Sequence, residues 1–143
     1  MLDTAALVSA IRSETGAAAE LLRRILLGEL TLLMDYKLAC EYRDVALRSD
    51  HLLAAKMTTT QVEEIINYLE AVATPVWVDI KHRPMSRDEA DDMVLDLAIN
   101  GQADVVVTNN LRDFLPAADF GIRVLTPRDL LVELRQRKVS DES

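Results

Sequence analysis

The stretch DVVVT at residues 104–108 constrains the fold more than any other part of the chain. Three consecutive β-branched residues are stiff at the first side-chain torsion and favour an extended backbone. An unbroken apolar run of this kind needs cover on both faces, as in a parallel sheet flanked by helices. ELTLLM (29–34), PVWVDI (a strand around 76–80) and IRVLT (122–126) read as further strands. Helical spacing fills the intervals. AAAELLRRILL (17–27) ends at Gly28, a favoured terminator. Residues 35–48 place Leu38, Tyr42, Val45 and Ala46 on one face. TTTQVEEIINYLEAV carries a capping box, Thr60 with Glu63. Ser86 and Glu89 form a second box, opening a helix that ends near Asn100-Gly101, and Thr126-Pro127 caps a last helix to about Arg137. Strands alternating with helices predict an α/β fold with a parallel sheet covered on both faces.

Length agrees with one domain. A chain of 143 residues buries about 68–70% of its unfolded surface. The reading is a single domain over residues 1–137, with 138–143 as a frayed tail. No apolar run reaches the ~18 residues of a membrane span, and no basic-then-apolar leader opens the chain. The single cysteine, Cys40, reads as a small buried hydrophobe in a reducing cytoplasm.

Charge narrows the chemistry. Asp and Glu number 24 against 16 Lys and Arg, a net charge of −8. Bulk charge of that sign repels nucleic acid, so such a partner needs a local basic surface, a metal ion, or both. His51 and His82 are the only histidines, which leaves carboxylates as the abundant reactive groups.

In open α/β sheets, ligands bind beyond the carboxyl ends of the strands. Asp3 follows a stub of strand, Met1-Leu2, and reads either as a site residue or as a helix cap. Asp113 lies in TNNLRDF, after DVVV. SRDEADDMVLD places five acids between residues 88 and 96. Helical spacing puts Asp91 on a face with Val94, Leu95 and Ala98, pointing inward, whereas Asp88, Asp92 and Asp96 form a stripe more easily left in water. An inward acid needs a partner, and a divalent cation would serve. Glu41, mid-helix in LACEYRDV, raises the same question beside its plainer reading as a solvated Glu paired with an Arg.

LDTxxLVSA, LxxEYRDV, DxxDDMVLDLAINGQAD, VVVTNNLRDF and RVLTPRDLL occur in that order over residues 2 to 132. Together they resemble the PIN-domain family, and more narrowly its bacterial VapC-like members, the toxin components of toxin–antitoxin pairs. The resemblance implies a three-layer α/β/α sandwich around a central, mainly parallel sheet of about five strands. It implies a Mg²⁺- or Mn²⁺-dependent ribonuclease, an RNA substrate, a cognate antitoxin protein, and a homodimer or higher assembly in the cytoplasm. The family's four acids fall on Asp3, Glu41, Asp91 and Asp113, with Asp92 a second choice for the third and Thr108 and Asn110 as polar supports. On that resemblance Asp3, Asp91 and Asp113 hold metal, Glu41 and Asp113 hold water or a second ion, and Arg12, Arg43 and Arg112 are phosphate contacts. Arg23 and Arg48 are further candidates for that contact.

The chain departs from the family in its opening stretch. Ala5 stands where the family usually carries Asn, and only Met1-Leu2 precede Asp3 where the family has a longer strand. A charged α-amino group near the sheet would be costly to bury unpaired. Two readings follow: a chain that begins short of the family's strand, or a PIN-like module that binds a protein or RNA partner without cleaving. No GxxxxGK[ST], GxGxxG or GxSxG motif is present, so nothing supports a P-loop, a dinucleotide site or a serine hydrolase. A Mg²⁺-dependent phosphatase on a similar sheet is a lower third reading.

Overall fold

The structure, a computed structural model, describes residues 1–78 and 89–142, with side chains over 1–78 and 91–137. Its described strands lie in two parallel pairs. Strand β1 (Leu33–Met34) pairs with β2 (Thr74–Pro75), Leu33 opposite Thr74. Strand β3 (Val105–Val107) pairs with β4 (Arg123–Leu125), Val106 opposite Val124. The amino terminus joins the second pair, because Leu2 forms a parallel bridge with Val107. The Val107 N–H donates to the Met1 carbonyl at 2.8 Å, and the Asp3 N–H donates to the Val107 carbonyl at 3.1 Å. Two residues thus serve as a strand, and both of their side chains are buried.

The α/β character and the parallel direction agree with the sequence. A continuous sheet of about five strands is not what the described residues carry: they carry two pairs and one bridge. The strands run two or three residues where the apolar runs span five or six. In ELTLLM the ladder begins at the Leu32 carbonyl, which accepts from the Thr74 N–H at 2.8 Å, and Leu33 and Met34 are the residues in strand register. Residues 79 and 80 of the expected third strand lie outside the described residues. The Val76 N–H nonetheless donates to the Met34 carbonyl at 3.0 Å, carrying the β1–β2 pairing past Pro75.

Helices α1 (Thr4–Arg12), α2 (Ala17–Leu26), α3 (Tyr36–Ala46), α4 (Ser49–Ala55), α5 (Thr59–Val72), α6 (Glu89–Asn100) and α7 (Pro127–Glu142) surround the strands, with a 3-10 helix over Leu111–Phe120. Local chemistry sets their ends. Gly28 takes φ +80° just past α2, a conformation that favours glycine. The Asp129 N–H donates to Thr126 Oγ1 at 3.1 Å, the cap expected for α7. The capping box of α5 is formed by Thr58 and Gln61, two residues before the predicted Thr60 and Glu63. Thr58 Oγ1 accepts from the Gln61 N–H, and Gln61 Oε1 accepts from the Thr58 N–H. With three threonines in a row, the earliest cap adds helix length while Val62, Ile66 and Leu69 still face inward. Ser86 of the second predicted box lies outside the described residues.

Leu7, Leu38, Tyr42, Leu95, Leu97, Val106 and Phe114 form the fully buried centre. Helix α1 packs on α2 and α3, and α6 packs on the 3-10 helix and β1. Cys40 is exposed, which corrects the reading of it as a buried hydrophobe. The inward face of α3 carries Leu38, Ala39, Tyr42 and Ala46, and two residues of helical turn from Leu38 carry Cys40 to the far side.

Candidate active site

Asp3 answers to both of its sequence readings. It is the N-cap of α1: its Oδ1 accepts from the Ala6 N–H at 2.8 Å. Its Oδ2 accepts from the Thr108 hydroxyl at 2.5 Å, at the carboxyl end of β3. Thr108 is itself buried, and its Oγ1 accepts from the Asn110 N–H at 2.9 Å. Asn110 therefore enters this cluster through its backbone, and its side chain is exposed. Burial pushes the Asp3 carboxyl above the usual carboxylate range, and the bonds from Thr108 and Ala6 oppose that shift.

Tyr42 completes the surroundings of Asp3. Its hydroxyl donates to the Leu2 carbonyl at 2.5 Å from a fully buried position. Burial raises its pKa, and the negative charges of Asp3 and Asp35 raise it further, so the hydroxyl remains a proton donor. Asp35 caps α3 through a 2.8 Å bond from the Leu38 N–H at the carboxyl end of β1. The sequence reading took Tyr42 only as a core residue and did not select Asp35. The available signal was position: an acid directly after a strand, and a tyrosine beside Glu41 on the inward side of its helix.

The remaining predicted residues are spread over three further elements. Glu41 is half-buried on α3, and it makes no hydrogen bond or ion pair among the described residues. Asp113 is exposed on the 3-10 helix. On α6 the expected orientation is reversed. Asp92 and Asp96 are 4% and 1% exposed, whereas Asp91 is only half-buried. Helix α6 is covered on more than one side, since Val94, Leu95, Leu97 and Ala98 are all buried as well. Among the described residues, no three His, Cys, Asp or Glu side chains lie close enough to hold an ion.

Two of the expected phosphate contacts already have protein partners. Arg12 lies 3.3 Å from His51 Nδ1, and Arg43 donates to Asn67 at 2.7 Å and to the Glu70 carboxylate. Arg23 is bound to Glu20 and to the Glu14 carbonyl. Arg112, next to Asp113, is exposed and makes no ion pair among the described residues.

In donor type the acids suit a hard divalent cation, which takes carboxylate, carbonyl and water oxygens. Each Asp3 oxygen accepts one protein hydrogen bond, and a carboxylate oxygen has a second lone pair to offer.

No helix among the described residues is long and apolar enough to cross a membrane. No curated protein and no solved structure matches the chain. A family model described as PIN domain matches residues 1–112, from the strand stub through β3 to the start of the 3-10 helix. That span holds Asp3, Glu41, Asp91 and Thr108, and with most of its length matched the chain belongs to the PIN-domain family.

Proposed function

We propose that the chain is a metal-dependent ribonuclease that cleaves phosphodiester bonds, acting in the cytoplasm as the toxin of a toxin–antitoxin pair. PIN domains are generally nucleases, which supports the hydrolytic part of this reading. The observation that carries it is Asp3, a buried carboxylate held by Ala6 and Thr108 where the strand stub and β3 end. Folding retains this acid despite the cost of taking its charge out of water. A helix cap on the surface would do the same structural work without that cost.

On this reading residues 1–137 act as one domain, and the two strand pairs with Leu2 belong to one central sheet of a three-layer sandwich. Mg²⁺ or Mn²⁺, which takes one or two carboxylates beside water and phosphate oxygens, would be held by Asp3 with Asp91, or with Asp92 as the alternative, while Asp113 would hold water or a second ion. The metal would supply positive charge at the phosphoryl oxygens and an acidified water. Asp92 enters with more weight than the sequence gave it, because it is the more buried of the pair. Glu41 would accept a hydrogen bond from water near the scissile phosphate. Thr108 would orient Asp3 through its hydrogen bond, and Arg112 would meet the RNA backbone from the start of the 3-10 helix. A cognate antitoxin and a homodimer complete the proposal as partners.

The test is cleavage of mixed RNA with Mn²⁺ or Mg²⁺ by the wild type and by Asp91→Asn and Asp92→Asn. Metal-dependent cleavage lost in at least one variant is the expected result. Equal activity in both variants would remove α6 from the site. A wild type that neither cleaves RNA nor binds metal calorimetrically would favour a PIN-like binding module instead.

A further inference from the structure

One side chain ties the helix carrying Glu41 to the stub carrying Asp3. The Tyr42 hydroxyl reaches the Leu2 carbonyl, 40 residues away in sequence, at 2.5 Å. That carbonyl belongs to the peptide unit whose N–H is contributed by Asp3, and this N–H donates to the Val107 carbonyl at 3.1 Å. The unit is therefore gripped from α3 on one side and from β3 on the other. A peptide group is planar, so holding its oxygen and its N–H fixes the direction in which the Asp3 Cα leaves it. The side chain is then held at both oxygens by Ala6 and Thr108.

Glu41 is the residue before Tyr42 on the same helix. Its carboxylate makes no hydrogen bond or ion pair among the described residues, so its position depends on where α3 is held. The tyrosine ring alone would fill the core equally well as phenylalanine, without the cost of burying a hydroxyl. What the hydroxyl adds is the bond to Leu2. We propose that Tyr42 is a positioning residue, a cross-brace that sets the spacing between the Asp3 and Glu41 carboxylates. This role rests on the nuclease reading above.

Tyr42→Phe keeps the ring and removes the brace. The Asp3 amide, followed by hydrogen exchange, should exchange on the order of ten-fold faster relative to the Ile66 amide of α5, an internal control for global stability. Half-saturating Mn²⁺ measured by calorimetry should rise about ten-fold, the effect expected when a group that orients a ligand is lost. The KM for RNA should stay as in the wild type while kcat falls. Equal exchange and equal Mn²⁺ affinity in the variant would overturn the proposal and leave the nuclease reading standing. Faster exchange with unchanged affinity would make the bond a fold contact only, and would overturn it too. A wild type that binds no Mn²⁺ and cleaves no RNA would overturn both.

Discussion

The hydroxyl of Thr108 donates to Asp3 Oδ2 at 2.5 Å, joining two residues 105 positions apart. The same oxygen of Thr108 accepts from the Asn110 N–H, so one small side chain orders both an acid and the loop after β3. Thr108→Val preserves shape and removes both bonds. It should cost about 2–3 kcal/mol in urea unfolding, because a buried carboxylate loses a donor and a backbone N–H loses its acceptor. An unchanged midpoint would show that water replaces the hydroxyl without loss.

Asp3→Asn separates stability from function. Asparagine is as good an N-cap as aspartate and carries no charge to desolvate. Since burial pushes the Asp3 carboxyl up in the fold, the neutral side chain should fold with a stability within about 1 kcal/mol of the wild type, or better. Metal-dependent RNA cleavage should nonetheless disappear. Retained cleavage in this variant would place the chemistry elsewhere.

In a chain that starts at Met1, the α-amino group gives stability a pH dependence. It is buried, donates to the Val105 carbonyl at 3.0 Å, and burial lowers its pKa from 8.0 to about 6, with Asp104 opposing the shift. Between those values the unfolded chain binds more protons than the folded one, so stability rises with pH across that window. Two pH units correspond to about 2–3 kcal/mol lost on going from pH 8 to below pH 6. Acetylating the amine should flatten this part of a pH series of unfolding midpoints, and an identical slope would exclude the assignment.

Gly101 lies where α6 meets the first strand pair. A Cβ there would stand 2.9 Å from Leu33 Cδ1, 2.9 Å from Val76 Cγ2 and 3.0 Å from the Leu97 carbonyl oxygen. Gly101→Ala should destabilise by about 1–3 kcal/mol through overpacking. Thermal unfolding measures this directly, and a neutral result would mean that Leu33 and Val76 shift without penalty.

Much of this architecture was readable from residue pattern. The valines of β3, Val124 within β4, Gly28 and the Thr126 cap are local signals, and each acts locally in the fold. Thr108 is legible as a support only through the family resemblance, which places it beside the fourth acid. What escaped was everything that depends on being covered from several directions. A single apolar stripe on α6 predicts Asp92 and Asp96 in water, yet neighbours bury more than one side of that helix. The pairing of Leu2 with Val107 left no pattern to read, since a strand of two residues has no periodicity. Residue type predicts a buried Cys40, whereas its angular position on α3, away from Leu38, Ala39, Tyr42 and Ala46, leaves it exposed.

The bridge between Leu2 and Val107 also orders events during synthesis. Met1 to Asp3 leave the ribosome well before their partners at residues 105–108 are made. At typical elongation rates that gap is about 5–20 s. Throughout it Asp3 has neither the Val107 carbonyl nor the Thr108 hydroxyl to hold it. A nascent chain therefore carries Asp3 unassembled until β3 has been made, and on the proposed nuclease reading it stays latent over that interval.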